Sequence, residues 1–350
     1  MAQSLFFTSP CTRVHALMRP QKKIAVVGGG SWGTALAQSQ ARLGHQVFLW
    51  LRSQDACEQI NETRYNSKYY PEIQLDSKIF ATTDIQACYE QAQIILLALP
   101  SSEIVPWIEE TKIYLRDHQA LVCTSKGLDL LHLQTLSQKL AQIYGSKWTH
   151  RHYAVLSGPS FAVELIQQLP TAVDLASSNT ELRNMLIDSC SDTHFKWFPS
   201  KDMIGLEVGG ALKNILAIAV GASDGYGFGE NARAALITKG LKEISKVGVA
   251  LGAEPETFFG LSGMGDLLLT CTGDQSRNRQ VGLGLSTGKS LKDILTQIQQ
   301  TAEGIRSCKI AADISERHQL ETPILTETYH ALYGIKDPKK AIIDLLHTIV

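Results

Sequence analysis

Short apolar runs alternate with longer amphipathic segments through the first two hundred residues of the chain. The runs have the length of buried strands, and several of the segments between them have the periodicity of helices. This alternation is typical of βαβ units and predicts a parallel sheet covered by helices. The predicted strands are Ile24–Val27, Val47–Leu51, Ile94–Leu99, Ala120–Thr124, Ala154–Leu156, Thr171–Leu175 and Phe195–Phe198.

The pattern changes after about residue 200, where strand signals fade and helical periodicity dominates. Asn231 is predicted to cap a helix that continues toward Gly252, because an Asn side chain can accept a hydrogen bond from a backbone amide of the first turn. Pro323 and Pro338 are predicted to begin two further helices, the first ending at Gly334. The second part of the chain is therefore predicted to be all-helical.

A glycine-rich turn joins the first predicted strand to the first predicted helix. Gly28, Gly30 and Gly33 form the pattern G-x-G-x-x-G, and the helix that follows ends near Gly44. In this setting the first glycine permits a tight turn, the second lets the backbone approach phosphates, and the third lets the helix pack close to the strand. The turn predicts a dinucleotide whose pyrophosphate rests on the helix N-terminus; the alternative is a glycine-rich turn without a ligand.

These patterns together predict an α/β fold with two domains, with one large domain as the alternative. Residues 21–200 are predicted to form an N-terminal Rossmann-type dinucleotide-binding domain, and residues 201–350 an all-helical C-terminal substrate domain. Residues 1–20 match neither pattern and are interpreted as an N-terminal extension that is a candidate for disorder.

Charge and cysteine content exclude several classes of partner. The chain has 33 Lys and Arg residues against 34 Asp and Glu residues, so no nucleic acid or anionic membrane surface is expected as a partner. Its 7 cysteines are scattered singly, which favours free thiols, a reducing compartment and a cytoplasmic location, with no metal site. No integral membrane segment is expected, since even the apolar region Ile204–Val220 contains Glu207 and Lys213.

The end of the second predicted strand bears on the choice of coenzyme. An acidic residue at this position commonly binds the adenosine ribose hydroxyls. Here Arg52 follows the strand, and an arginine can pair with the 2′-phosphate of NADP(H). NADP(H) is therefore favoured over NAD(H), although Asp55 lies close enough in sequence to support NAD(H), and Arg52 could instead be a solvated surface charge.

Candidate substrate residues follow strands or lie in unusual helical surroundings. Lys126 follows a predicted strand, whose carboxyl end lies at the ligand-binding edge of a parallel sheet. Lys213 lies in the small, apolar stretch Gly209–Ile215, where burial would lower its pKa and suit it to move a proton. A loop lysine and a lysine that reaches the surface are the respective alternatives.

A polar cluster in the helical half offers further binding groups. Asp266 could orient a hydroxyl or the Lys213 ammonium, whereas Arg277 and Asn278 offer a charged fork and an amide suited to a phosphate. An ordinary salt-bridged loop is the alternative.

From about Ile24 onward the chain resembles bacterial NAD(P)-dependent sn-glycerol-3-phosphate dehydrogenases. The blocks that carry the resemblance are Gly28–Leu36, Thr124–Leu128, Ser157–Ala162, Leu212–Asn214, Ser223–Gly225, Asn231–Thr238, Gly265–Leu267, Thr270–Thr272, Ser276–Arg279 and Glu303–Gly304. The resemblance implies reversible reduction of dihydroxyacetone phosphate to sn-glycerol 3-phosphate with NAD(P)H, in the service of phospholipid synthesis. It also implies a homodimer and no metal.

The resemblance also implies residue roles, with Lys213 as the proton donor and acceptor. The implied substrate contacts are Lys126, Gly158, Ser160, Lys213, Asp266, Ser276, Arg277 and Asn278. The implied coenzyme contacts, beside the three glycines of the turn, are Ser31, Trp32, Arg52, Lys126, Ala162, Arg277, Thr301 and Glu303.

Two other functions are compatible with parts of the pattern. A related dehydrogenase of the same architecture could act on a 3-hydroxy acid or a sugar acid, which would require a cation placed for a carboxylate. A dinucleotide-binding redox sensor would require a segment for nucleic acid or a partner protein, and the sequence shows neither a basic helix nor a basic run.

Overall fold

The computed structural model describes residues 20–129, 131–298 and 302–349, and within them eight strands form a single sheet. The strands are β1 (Lys23–Val27), β2 (Gln46–Trp50), β3 (Ile79–Thr82), β4 (Ile94–Leu97), β5 (Ala120–Cys123), β6 (Tyr153–Ser157), β7 (Thr171–Ala176) and β8 (Phe195–Ser200). All seven predicted strands are present, with ends displaced by no more than two residues. The predicted extension lies outside the described residues except for Pro20.

The order of the strands is β3-β2-β1-β4-β5-β6-β7-β8. Strands β1 to β6 are parallel to one another, so their carboxyl ends meet at one edge of the sheet. The pairing of β6 with β7 is antiparallel, and β8 runs parallel to β7. From β1 the chain adds β2 and β3 on one side of the sheet and then continues with β4 on the other side. The strand order therefore reverses between β1 and β4, and open sheets of this kind bind dinucleotides at such a point.

Helices cover both faces of the sheet, which explains why its strands are continuously apolar. Ile24 and Val26 of β1 face one buried cluster, whereas Ala25 and Val27 face the other. The covering helices are α1 (Ser31–Arg42), α2 (Gln54–Thr63), α3 (Ile85–Gln91), α4 (Ser101–Thr111), α5 (Leu136–Tyr144), α6 (Ser146–His152), α7 (Ala162–Ile166) and α8 (Thr180–Cys190), with a 3₁₀ turn at Lys112–Tyr114.

Strand β3 is the element of the sheet that the sequence pattern did not predict. It is a four-residue strand at the edge of the sheet, and Phe80 at its centre is 53% exposed. Because one apolar side chain faces solvent, the strand lacks the buried pattern on which its neighbours were predicted.

The rest of the described chain is helical, as predicted. Its helices are α9 (Met203–Gly225), α10 (Gly229–Ala250), α11 (Asp266–Thr272), α12 (Arg277–Ser286), α13 (Leu291–Ile298), α14 (Glu303–Arg317), α15 (Pro323–Leu332) and α16 (Pro338–Ile349). A 3₁₀ turn (Pro255–Phe259) and a π-helical turn (Leu261–Gly265) precede α11. The sheet thus ends at Ser200, just before α9, while the proposed division into two domains stays a prediction.

The predicted starts of α15 and α16 are confirmed, but the predicted cap of α10 is wrong. Helix α10 begins at Gly229, so Asn231 lies inside its first turn. Gly227 and Gly229 have φ values of 77° and 82°, in the region that favours glycine. These two glycines reverse the chain immediately after α9, and no side-chain cap is needed to start α10.

Helix α9 is the core of the helical part, and its residues from Gly205 to Ser223 are buried. Among the described residues it is the one helix long and apolar enough to cross a membrane, contrary to the sequence-based expectation that no segment would qualify. However, 89% of its apolar window is buried inside the protein, where α10, α11, α12 and α14 pack around it. Its apolar character is therefore accounted for by its central position in the fold.

The first half of α9 also runs along the sheet. The Glu207 carboxylate accepts hydrogen bonds from the backbone N–H and the hydroxyl of Ser137, at 3.0 and 2.5 Å, and lies 3.4 Å from the Tyr153 hydroxyl. One turn later Gly210 packs against Ser157 at the other end of β6. Helix α9 therefore follows β6 toward the ligand-binding edge.

Candidate active site

The turn between β1 and α1 has the geometry of a phosphate cradle. Gly28 has a φ of 112°, and a Cβ there would lie 2.6 Å from the Ala98 carbonyl oxygen. A Cβ on Gly33 would lie 1.8 Å from the carbonyl oxygen of Gly28. At Gly30, the N-cap of α1, a Cβ would meet nothing within 4 Å. Two glycines are therefore required by packing, and the third leaves open space in front of the helix, which fits a pyrophosphate.

Side chains from other elements fix this turn in place. The Ser31 hydroxyl lies 2.8 Å from the Tyr70 hydroxyl, which in turn donates to the Ser31 carbonyl at 3.0 Å. Asn66 donates to the Gly29 carbonyl at 3.1 Å. The Trp32 indole N–H donates to the Thr124 hydroxyl at 2.9 Å, which ties α1 to the end of β5. The supporting role of Asn66 and Tyr70 was not predicted, since no sequence signal links their loop to the turn.

Arg52 lies beyond the end of β2, apart from the other candidate side chains. It is exposed and forms an ion pair with Glu103 in the first turn of α4. Ala162, the first residue of α7, follows the end of β6 and packs against the sheet. These two predicted coenzyme contacts therefore lie beyond the carboxyl ends of two different strands of the parallel set.

Three charged side chains meet in a buried cluster at the same edge of the sheet, which we call the lysine–aspartate cluster: Lys126, Lys213 and Asp266. Asp266 Oδ1 accepts a hydrogen bond from Lys213 Nζ, and Asp266 Oδ2 lies 2.8 Å from Lys126 Nζ. Lys213 Nζ also donates to the Thr270 hydroxyl at 2.8 Å. The Lys213 and Asp266 side chains are 7% and 1% exposed, and that of Lys126 is 21% exposed. Lys213 is thus held inside the protein rather than reaching the surface.

Small residues in α9 allow this cluster to form. A Cβ on Gly210 would lie 2.9 Å from the Ser157 hydroxyl and 3.3 Å from Cγ of Lys126. A Cβ on Gly209 would lie 2.8 Å from the Ser262 carbonyl oxygen in the π-helical turn. The helix therefore approaches the sheet edge and the start of α11 at the same level, one turn before Lys213.

The surroundings of Lys213 change its acidity. Burial lowers the pKa of Lys213 below that of a free lysine; Asp266 opposes this shift, and the nearby Lys126 ammonium adds to it. The cluster holds two potential positive charges against one carboxylate. A lysine in this position can exchange a proton near neutral pH more readily than a solvated one.

The turn after β6 contributes backbone groups beside the cluster. The Gly158 carbonyl oxygen accepts hydrogen bonds from Lys126 Nζ at 3.0 Å and from the Ser160 hydroxyl at 2.9 Å. Gly158 has a φ of 150°, and a Cβ there would lie 2.8 Å from Cα of Val173. The structure thus brings Gly158 and Ser160 to the lysine–aspartate cluster.

The start of α12 carries Ser276, Arg277 and Asn278. Ser276 caps the helix by accepting a hydrogen bond from the Arg279 amide at 3.2 Å. Arg277 is the first residue of the helix. Burial lowers the pKa of its guanidinium, and the negative charge of Glu303 opposes this shift. Asn278 donates to Asn214 Oδ1 at 2.9 Å and accepts from the Gly304 amide at 3.0 Å. These residues connect α9, α12 and the start of α14.

Glu303 joins the helical part to the start of α4, the helix that follows β4. Its carboxylate accepts hydrogen bonds from the hydroxyl and the backbone amide of Ser101, at 2.9 and 3.4 Å. Arg306 donates to the Ser102 hydroxyl at 2.8 Å. Thr301, the other predicted coenzyme contact near this helix, lies outside the described residues.

Sequence reasoning missed several groups that complete the site. Thr270 stands four residues after Asp266 on α11, so helical spacing alone could have placed both on one face toward Lys213. The hydrogen bond from Ser101 to Glu303 and the ion pair of Glu103 with Arg52 had no comparable signal, because the partners come from distant parts of the chain. No group of three or more His, Cys, Asp or Glu side chains within the described ranges is placed to hold a metal ion.

A Rossmann-type sheet with a glycine-rich turn, joined to helices that supply a buried lysine, defines a nicotinamide-dependent dehydrogenase. The chain belongs to the NAD-dependent glycerol-3-phosphate dehydrogenase family: the model of that family's N-terminus matches residues 23–183, and the model of its C-terminus matches residues 202–343. The family assignment confirms the resemblance read from the sequence motifs.

Individual relatives agree with this assignment. The glycerol-3-phosphate dehydrogenase (NAD(P)+) of Solidesulfovibrio magneticus is 43% identical over 324 residues, covering 93% of this chain and 98% of the relative. That of a Thermoanaerobacter species is 41% identical, with 93% and 96% covered. The crystal structure of glycerol-3-phosphate dehydrogenase from Coxiella burnetii superposes with a TM-score of 0.87 at 37% identity, covering 93% of this chain and 99% of that one.

We expect alanine substitutions in the glycine-rich turn to separate folding from coenzyme binding. Gly33→Ala should lower the free energy of unfolding by about 1–3 kcal/mol, since its methyl group overlaps the Gly28 carbonyl. Gly30→Ala should leave stability nearly unchanged, because its methyl group enters open space, but should weaken NADPH binding roughly 5- to 100-fold. Denaturant unfolding and fluorescence titration measure the two effects; normal NADPH affinity in Gly30→Ala would contradict the cradle.

Proposed function

We propose that the chain interconverts dihydroxyacetone phosphate and sn-glycerol 3-phosphate with NAD(P)H and NAD(P)+. The buried lysine–aspartate cluster at the ligand-binding edge of the sheet carries this proposal. Lys126 lies two residues after Thr124, which receives the hydrogen bond from Trp32 beside the glycine-rich turn. The proton-transfer groups and the coenzyme cradle are therefore parts of one connected site.

Lys213 is proposed to move the proton. The nicotinamide coenzyme, when bound, supplies the hydride in one direction and accepts it in the other. In reduction, the Lys213 ammonium donates a proton to the carbonyl oxygen, and in oxidation the neutral amine accepts the hydroxyl proton. The pKa of Lys213, lowered by burial, makes both protonation states accessible near neutral pH.

Asp266 and Lys126 are proposed to orient the amine and the substrate. Asp266 holds Lys213 Nζ in one place and keeps its charged form from being destabilised further. Lys126 is the more exposed of the two lysines and reaches toward Gly158 and Ser160, where a polar substrate oxygen can also bind. This arrangement fixes the reacting carbon relative to Lys213.

The start of α12 is proposed to bind the substrate phosphate. Arg277 offers a charged fork suited to phosphate oxygens, and the adjacent helix N-terminus favours an anion. Ser276 and Asn278 are proposed as further substrate contacts, and their hydrogen bonds to the Arg279 and Gly304 amides also hold the helix start in position. Binding energy from the phosphate then serves to orient the ketone.

The coenzyme is proposed to lie along the carboxyl edge of the sheet, with NADP(H) favoured over NAD(H). The close packing at Gly28 and Gly33 and the open space at Gly30 support the pyrophosphate placement. The further contacts proposed from the family resemblance are Ser31, Trp32, Arg52, Lys126, Ala162, Arg277, Thr301 and Glu303.

The role of the enzyme in the cell is proposed from its product, and its location from its cysteines. Glycerol 3-phosphate is a building block of phospholipids, so we propose a supply role in phospholipid synthesis. Among the described residues, the thiols of Cys57, Cys88, Cys123, Cys271 and Cys308 are free and buried, which supports a reducing, cytoplasmic location. A homodimer is proposed from the family resemblance, and sedimentation equilibrium of the purified chain would measure it.

The substrate assignment is tested by following coenzyme absorbance. We expect dihydroxyacetone phosphate to oxidise both NADPH and NADH, because Arg277 is proposed to bind its phosphate and Lys213 is proposed to supply the proton with either coenzyme. Oxidation with a 2-keto or 3-oxo acid but not with dihydroxyacetone phosphate would instead select the related dehydrogenases that act on hydroxy or sugar acids.

Replacing Lys213 tests the proton-transfer role. Lys213→Ala is expected to lower kcat by ~10²–10⁴-fold, the usual contribution of a general acid or base, with little change in NADPH affinity. Lys239→Ala, which removes an exposed lysine of α10, is the control and should keep full activity. Turnover of Lys213→Ala close to that of the unchanged protein would remove Lys213 from the mechanism.

Replacing Arg52 tests the coenzyme preference. Arg52→Ala is expected to raise the dissociation constant of NADPH by roughly 10-fold or more, since a charge-assisted contact to the 2′-phosphate is lost. The dissociation constant of NADH should change by less than about threefold. Fluorescence titration with each reduced coenzyme measures the two dissociation constants. An equal loss for both would show that Arg52 does not contact the 2′-phosphate.

A further inference from the structure

We propose that Glu103 limits the preference for NADP(H) by competing with the coenzyme 2′-phosphate for Arg52. The proposal rests on the proposed placement of that phosphate at Arg52. The guanidinium and the Glu103 carboxylate form an ion pair between the end of β2 and the first turn of α4. In a Rossmann-type sheet the adenosine half of the coenzyme lies beyond the end of β2.

The position of Glu103 is fixed by buried contacts and not by the ion pair alone. Trp107, one helical turn after Glu103, packs against Trp50 at the end of β2, with ring centroids 4.4 Å apart. Trp50 is 9% exposed and its indole N–H donates to the Thr83 carbonyl at 3.0 Å. Helix α4 is therefore held against the strand that presents Arg52, whether or not the two charged side chains touch.

The residues immediately before Glu103 also hold this turn. Ser101 is bound to Glu303 and Ser102 to Arg306, both on α14. The backbone of the first turn of α4 is thus attached on two sides. The Glu103 carboxylate can change rotamer, but the backbone that carries it stays beside the end of β2.

The Arg52 guanidinium can exchange Glu103 for a phosphate because of the charges and the exposure of the two side chains. The Arg52 and Glu103 side chains are 67% and 36% exposed, and an exposed ion pair contributes no more than about fivefold to an equilibrium constant. A 2′-phosphate carries more negative charge than a carboxylate and can displace it from the guanidinium. Glu103 lies in the first turn of α4, where the helix dipole attracts an anion, so the displaced carboxylate stays near the helix N-terminus.

The consequence differs between the two coenzymes. NADP(H) must separate Arg52 from Glu103 and then bind with its phosphate close to the carboxylate that it displaced. NAD(H) carries hydroxyls at this position and can bind with the ion pair intact. Glu103 therefore weakens the binding of NADP(H) but not that of NAD(H). It thereby reduces the difference in affinity between the two coenzymes that Arg52 creates.

The test is the affinity of each reduced coenzyme, measured by fluorescence titration without substrate. Glu103→Gln should lower the dissociation constant of NADPH roughly three- to tenfold, since it removes both the competition for Arg52 and the repulsion of the 2′-phosphate. The dissociation constant of NADH should change by less than about twofold. The control is Glu110→Gln, which removes the same charge from an exposed position seven residues further along α4, about 10 Å away along the helix axis. It should leave both dissociation constants unchanged.

The double variant Arg52→Ala/Glu103→Gln separates competition for Arg52 from a general charge effect. Compared with Arg52→Ala alone, it should bind NADPH no more than about twofold more tightly. An equal change for both coenzymes in Glu103→Gln, unchanged or weaker NADPH binding, or a full gain that persists without Arg52 would each overturn the proposal. If Arg52→Ala discriminates between coenzymes and Glu103→Gln does not, the placement of the 2′-phosphate stands and the role of Glu103 fails.

Discussion

The Asp266 carboxylate, shared between two lysine ammonium groups, is the interaction on which the arrangement of this site depends. Lys126 comes from the loop after β5, Lys213 from α9 and Asp266 from the start of α11. Without the carboxylate, two like charges would remain close together in a largely buried place, which is strongly unfavourable. One side chain therefore joins the sheet edge to the helical part and makes burial of the amines tolerable.

This constraint explains why small residues and charged residues lie side by side in α9. Gly209 and Gly210 bring the helix against the π-helical turn and the end of β6. The same close packing excludes water from Lys213 and lowers its pKa. A bulkier helix surface would hold the amine further from the sheet edge and leave it better solvated. The tight packing of α9 and the lowered pKa of Lys213 thus both result from the close approach of α9 to the edge of the sheet.

Much of the fold could be predicted because buried parallel strands carry a continuous apolar signal, as in Ile24–Val27. Strand β3 lacked that signal because Phe80 faces solvent, and the reversed direction of β7 had none, since periodicity does not encode strand orientation. Lys213 and Asp266 could be identified as candidates from residue type, local context and family resemblance. The ion pair of Asp266 with Lys126 could not be predicted, because it depends on how distant segments of the chain pack. The coenzyme turn was predictable, but its support by Tyr70 was not.

The course of α9 along β6 has a consequence for the length of the chain. Glu207 lies beside Tyr153 at one end of that strand, and Gly210 lies beside Ser157 at the other, so the helix is in fixed register with the strand before it reaches Lys213. One residue inserted or removed between Gly210 and Lys213 would rotate the amine by about 100° and shift it by about 1.5 Å along the axis. The amine would then point away from Asp266 into a different layer of the core. The number of residues between Gly210 and Lys213 is therefore constrained as tightly as the identity of these two residues.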